Sequence, residues 1–197
     1  MGGIPNLGKS KITLALNDLE ILGNSVDGLV KHGLDAIYST QIKNKLGVLL
    51  TQVCKEISLP ETASEGPLRR LIVLVEKTVN PVIATLTEAN RISILLMVSA
   101  EIASNLERTI LSSTWTEELV DCLAPSLRSL TSYLADQTDL EAKNLLQRAM
   151  QMVSILDNPT MEDARAMLND HVITRSPSWR ITEHETNTLL QSRSDWS

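Results

Sequence analysis

The chain has 197 residues, of which 43% are hydrophobic and 21% charged. That is enough apolar material for one sizeable core, and it excludes a disordered chain. The net charge of −6 and a pI near 5.1 argue against general nucleic-acid binding, which needs a surplus of Lys and Arg to displace counterions.

Aromatic residues make up 3%, with no Phe, so the core is built from Leu, Ile, Val, Met and Ala. Cys54 and Cys122 stand far apart without a CxxC partner, which points to neither a disulfide framework nor a zinc site. The start of the chain, MGGIPNLGKSK, lacks the apolar stretch of a secretory signal. The most apolar stretch, Ile92 to Ala103, is unbroken only from Ile94 to Val98, far short of the roughly 20 residues of a bilayer span. The expectation is a soluble, cytoplasmic protein. Gly2 would permit N-myristoylation, but Asn6 stands where Ser or Thr is wanted, so none is expected.

The periodicity is helical nearly everywhere. A first helix is expected after Ser10, with Ile12, Leu16, Leu19, Leu22, Val26 and Leu29 on one stripe. Gly23, Gly28 and Gly33 each weaken a helix relative to Ala, which predicts a break there. A second helix runs from about Thr40 to Ile57, with Ile42, Leu46, Leu49, Leu50, Val53 and Ile57 at steps of three and four. Residues 58–67, with two prolines, read as a linker and a possible sub-boundary. Pro67 opens a third helix through Leu68, Leu71, Ile72 and Val75. Asn80 and Pro81 read as the cap and first residue of the next segment.

The helix that continues to about Leu111 is apolar on two sides. Leu95, Leu96, Ile102, Leu106 and Ile110 make one face, and Ile94, Met97 and Val98 a second. Such a helix sits in the middle of a bundle, or offers its spare face to a partner. Thr114–Glu117 and Thr138–Glu141 both fit the capping-box spacing. Leu119, Leu123, Leu127, Leu130 and Leu134 follow the first, with Pro125 expected to kink that helix. Leu145, Leu146, Ala149, Met152, Val153 and Leu156 follow the second, and a short helix through Met161, Ala164 and Leu168 comes next.

Past Val172 the pattern fades. Residues 173–197 read as an acidic, partly disordered tail that holds Trp179, Leu189, Leu190 and Trp196, with a helical turn or more after Thr182. Such large apolar groups on a polar segment mark either docking on a partner or folding back on the bundle.

Gly3 to Ser10 fits the P-loop pattern GxxxxGK[ST]. With its Pro5-Asn6 pair it resembles the phosphate loop of the Era-like GTPases. The resemblance implies a cofactor-binding set of Gly3, Gly8, Lys9 and Ser10, with Lys9 on the β- and γ-phosphates and Ser10 on Mg²⁺. It ends there. Only Met1 and Gly2 precede Gly3, so the buried strand that carries a P-loop is not expected here. Asp27-Gly28-Leu29-Val30 has its glycine out of place for DxxG, and Asn44-Lys45-Leu46-Gly47 lacks the final Asp of NKxD. The segment reads instead as a flexible arm over residues 1–9 with a helix cap at Ser10. Asp170-His171 and Glu183-His184-Glu185 suggest catalytic or metal pairs only weakly, and read as helix-end and solvated charge.

These residues predict an all-α protein: an antiparallel bundle of six or seven helices over residues 10–172, with a tail. They predict no enzyme, no catalytic or metal residues and no cofactor. The leading function is a protein-interaction or assembly module, a scaffold that binds a protein partner or a second copy of itself. Ile94, Met97, Val98, Trp179, Leu189, Leu190 and Trp196 are the candidate contact residues. A viral structural or accessory protein also fits this profile. The alternative is a carrier that holds an apolar ligand between helices.

Overall fold

The computed structural model describes residues 6–59, 66–174 and 179–196, with side chains from residue 12 onward and none over 170–178. It is an all-α bundle. Its helices are α1 (Asn6–Ile37), α2 (Lys43–Glu56), α3 (Gly66–Leu74), α4 (Asn80–Ile83), α5 (Glu88–Ser112), α6 (Glu117–Asp136), α7 (Glu141–Leu156), α8 (Met161–Thr174) and α9 (Glu183–Ser192). Among the described residues there is no β-strand, and an isolated parallel bridge joins Trp115 to Arg193.

The first two helices form one path. The expected break at the glycines does not occur: α1 runs unbroken through Gly23, Gly28 and Gly33, with no proline among its residues. A π-turn at Tyr38–Ile42 joins α1 to α2, with the Lys43 amide donating to the Tyr38 carbonyl. A second π-turn, Val75–Val79, precedes Pro81. The Asn80 amide reaches back five residues to Val75, and the helix absorbs a proline that has no amide to give. Asn80 is therefore not a cap but part of a helical path from α3 through α4.

The predicted caps shift. Thr116, not Thr114, caps α6, and its hydroxyl accepts from the Leu119 amide. Trp115 is the cause: it is buried and bonded to the far C-terminal segment, which holds residues 114–116 extended. At the second site Asp139 and Leu140 take left-handed conformations, so Leu140 becomes the N-cap of α7. Thr138 still serves that helix, accepting from the Ala142 amide at 3.0 Å. Pro125 lies inside an unbroken α6, and Asp121, four residues earlier, is exposed at the surface.

The centre is α5, as its two apolar faces require. Ile94, Leu95, Val98, Ile102, Leu106 and Ile110 are fully buried on it. α7 packs most extensively against α5 and α6, while α2 lies against α3 and α5. One hydrophobic cluster joins residues from Leu34 to Leu190, so helices on both sides of the expected linker share a core. Residues 60–65 of that linker lie outside the described residues. So does the stretch 175–178, while α8 runs past the boundary expected at Val172.

The last segment is folded where it is described. Thr182 and Glu185 form a true capping box that starts α9. This helix lies on α7 and α5, with Leu189 and Leu190 buried in the common core.

Candidate interaction surface

A long helix with its apolar stripe uncovered is the dominant surface feature. At 1.5 Å per residue, the 32 residues of α1 extend about 48 Å. Among its described side chains, those tied to the bundle lie at the C-terminal end, buried Leu34 and half-buried Ile37. Ahead of these, Ile12, Leu16, Leu19, Leu22, Val26, Leu29 and Val30 are all exposed, Leu19 at 64% and Leu29 at 74%. They continue the stripe on which Leu34 and Ile37 lie. A Cβ placed on Gly23, Gly28 or Gly33 would meet nothing within 4 Å. A glycine in an exposed helix costs about 1 kcal/mol relative to alanine. A helix with these interruptions and no neighbour is marginal in water, and packing on its apolar face is what would stabilise it.

A shallower groove of about 470 Å³ lies between α5 and α7. Leu96, Met97 and Leu145 line it together with Glu141 and Asn144. The expected contact face of Ile94, Met97 and Val98 is thereby divided. Ile94 and Val98 belong to the core, and Met97 alone reaches the groove. The reason is that α5 has neighbours on several sides, so its second apolar face is used within the chain. Val98→Glu is expected to unfold the protein, since a buried unpaired charge costs several kcal/mol. Met97→Glu is expected to leave the helical signal in circular dichroism intact.

The C-terminal segment closes on the bundle through a polar clasp. The Trp115 amide donates to the Ser192 carbonyl at 2.8 Å, and the Ser194 amide donates to the Trp115 carbonyl at 3.0 Å. Arg193 is buried. Its guanidinium donates to the Leu156 carbonyl, grips Asp195 at 2.7 and 3.1 Å, and stacks 4.9 Å from the Trp196 ring. Asp195 in turn accepts from the Glu117 amide at 2.7 Å, at the start of α6. Arg193 and that amide hold the Asp195 carboxyl below its ordinary range, against a smaller effect of burial. Trp179 and Trp196 are half-buried against the core, and Leu189 and Leu190 are inside it. These four sit on this chain's own bundle.

Three charges on three helices latch α9. Arg148 on α7 pairs with Glu107 on α5 at 3.4 Å, and with Glu185 on α9. Burial works to raise the Glu185 pKa, but Thr182 and Arg148 outweigh it and hold the carboxyl below its usual range. Burial raises Glu107, which Arg148 only partly offsets. The sequence expectation of a solvated Glu183-His184-Glu185 is corrected at Glu185, which caps and anchors its helix.

The two shifts act in opposite senses. Depressed Glu185 and Asp195 stabilise the fold above their unfolded values, about 4.3 and 3.9, and that contribution is lost as pH falls through the lower folded values. Raised Glu107 stabilises below about 4.3 and loses its contribution as pH rises through its folded value. Arg148→Ala is expected to cost about 1.5–3 kcal/mol at neutral pH. It is also expected to reduce the stability lost in acid, as read from melting temperatures across the carboxylate range.

Gly3 lies outside the described residues, while Gly8, Lys9 and Ser10 fall inside α1. Ser10 is thus not a cap, and residues 6–10 have helical backbone rather than that of a phosphate-wrapping loop. The side chain of His171 lies outside the described residues. Among those described, no three His, Cys, Asp or Glu side chains are placed to share a metal ion, and no helix is long and apolar enough to cross a membrane. A cleft of about 510 Å³ between α8 and α9 mixes Leu168, Trp179 and Leu190 with Arg165, Asn169 and Glu183.

The residues that latch the C-terminus, Trp115, Arg148 and Arg193, carried no sequence motif that marked them. The α1 stripe was legible, but its exposure was not.

The chain is similar to the Conserved oligomeric Golgi complex subunit 4 of Caenorhabditis elegans, 21% identical over 98% of this chain and 25% of that protein. It is similar to the protein of the same name from Drosophila melanogaster, at 22% over 92% of this chain and 24% of that one. For the Homo sapiens protein of that name the figures are 25% over 95% and 25%. The chain thus spans about a quarter of the length of these relatives. All three are animal proteins and lend the expected viral origin no support. Residues 8–188, from the first turns of the uncovered α1 to the latched α9, match one family throughout, and the chain belongs to it: Conserved oligomeric Golgi complex subunit 4, C-terminal.

Proposed function

We propose that this chain is a non-enzymatic interaction module that works as part of a multi-subunit complex at the Golgi, on the cytoplasmic side. The uncovered apolar stripe of α1 carries the reading. A folded bundle that leaves nine large aliphatic side chains in water along one helix, seven of them on one stripe, gains by covering that stripe with another protein. The family supports it, since the relatives are named as subunits of an oligomeric complex. Met97, on the α5–α7 groove, and Trp179, on the α8–α9 cleft, offer secondary contact points.

The carrier reading gains no comparable support, because the α8–α9 cleft is lined by charged and amide side chains as well as apolar ones. Copurification tests the assembly reading. The chain is expected to bring down other subunits of an oligomeric Golgi complex, and Leu19→Ser with Leu22→Ser to lose them while staying folded. A wild-type chain that recovers no such subunit overturns it.

A further inference from the structure

We propose that the α1 stripe is covered by one amphipathic helix other than a second copy of α1, apolar along its contact face and basic along its flanks. This rests on the assembly reading and names the partner's chemistry.

The spacing selects a helix as the occupant. Ile12, Leu19 and Val26 recur every seven residues, and Ala15, Leu22 and Leu29 recur between them. This is the a/d alternation of a two-helix seam, with Leu16 and Val30 widening one side. Gly23 lies in the stripe with open space where its side chain would be. It leaves a hollow for a large side chain of the incoming helix.

Charge selects against a second copy. Residues 12–30 contain Asp18, Glu20 and Asp27 and no Lys or Arg. By helical geometry Asp18 borders one edge of the stripe, and Glu20 and Asp27 border the other. Pairing α1 with itself antiparallel would match Ile12 with Leu29 and Leu19 with Leu22. It would also bring two Glu20 side chains together at the symmetry axis, where the flanks carry carboxylates and the nearest lysines, Lys11 and Lys31, lie beyond the two ends of the seam. A helix with Lys or Arg on its flanks meets the same apolar stripe and neutralises both edges.

The test uses the full chain and three labelled peptides of four heptads, with Leu or Ile at the a and d positions. One has Lys at the flanking positions, one has Glu, and one is a scrambled form of the Lys peptide. Fluorescence anisotropy is expected to show the Lys-flanked helix binding at least about tenfold tighter than the Glu-flanked one, with the scrambled peptide not bound. Replacing Asp18, Glu20 and Asp27 together by Lys is expected to reverse the preference. Leu19→Ser with Leu22→Ser is expected to abolish binding. All five positions are exposed, so the variants keep the fold, as circular dichroism would verify.

Equal binding of the Lys and Glu helices overturns the proposal. So does a concentration-dependent dimer of the chain that Leu22→Asp dissolves. If copurification with other subunits survives while the peptides show no charge preference, the assembly reading stands and the basic partner helix is refuted. If the peptides discriminate but no subunit is recovered, the assembly reading fails and the helix preference remains.

Discussion

Replacing Trp115 with alanine is expected to lower the unfolding free energy by about 3–5 kcal/mol, the usual cost of emptying a large aromatic site. At roughly 2–4 °C per kcal/mol for a chain of this size, the melting temperature should fall by about 6–20 °C. Trp115 is fully buried, and its indole donates to the Ile110 carbonyl at 2.9 Å, closing the end of α5. Its backbone also pairs with Ser192 and Ser194, so the same residue fixes the turn into α6 and the return of the C-terminus. Trp115→Phe separates the volume of the ring from the hydrogen bond of its indole. It keeps most of the apolar volume but leaves the Ile110 carbonyl without its donor, at an expected cost of about 1–3 kcal/mol. Urea titration of both variants, followed by circular dichroism at 222 nm, measures the difference. A Trp115→Ala chain as stable as the wild type would mean that the buried indole contributes nothing, since the backbone pairing with Ser192 and Ser194 survives the substitution.

The helical architecture was readable because its signal is local. The steps of three and four through Leu46, Leu50 and Val53, and through Leu119, Leu123 and Leu127, are the buried faces of α2 and α6. The doubled face of α5 correctly marked it as central. What escaped were features set by distant partners. Whether Val98 faces a partner or α5's own neighbours depends on where α2 and α7 lie. Thr114 and Thr116 both have hydroxyls near a helix start, and the choice falls to Thr116 because Ser192 and Ser194 hold Trp115 extended. Arg148 and Arg193 are single cations in unremarkable stretches, and their partners Glu185 and Leu156 lie 37 residues away in each case. The α1 stripe shows the converse. Its periodicity matches that of a core helix, and only the three-dimensional arrangement reveals that nothing in the described chain covers it.

Deleting residues 179–197 is expected to destabilise the bundle rather than release a free arm. Ile181, Leu189 and Leu190 are buried, and each such side chain contributes about 1.5–3 kcal/mol when removed from water. The deletion also exposes the apolar surface of α5 and α7 beneath α9 and leaves Arg148 without Glu185. Loss of Asp195 takes the acceptor from the Glu117 amide, a cap of about 0.5–2 kcal/mol. A net loss of about 5 kcal/mol would lower the melting temperature by roughly 10–20 °C. Leu189→Ala, which keeps the clasp, is expected to cost about 2–5 kcal/mol alone. Hydrogen exchange adds the spatial readout: protection should fall over α5 and α7, where α9 lies, and stay unchanged over residues 12–30 of α1, which α9 does not support. A deleted chain that melts at the wild-type temperature would show that this segment is an arm for a partner, and that its contacts with the bundle carry no stability.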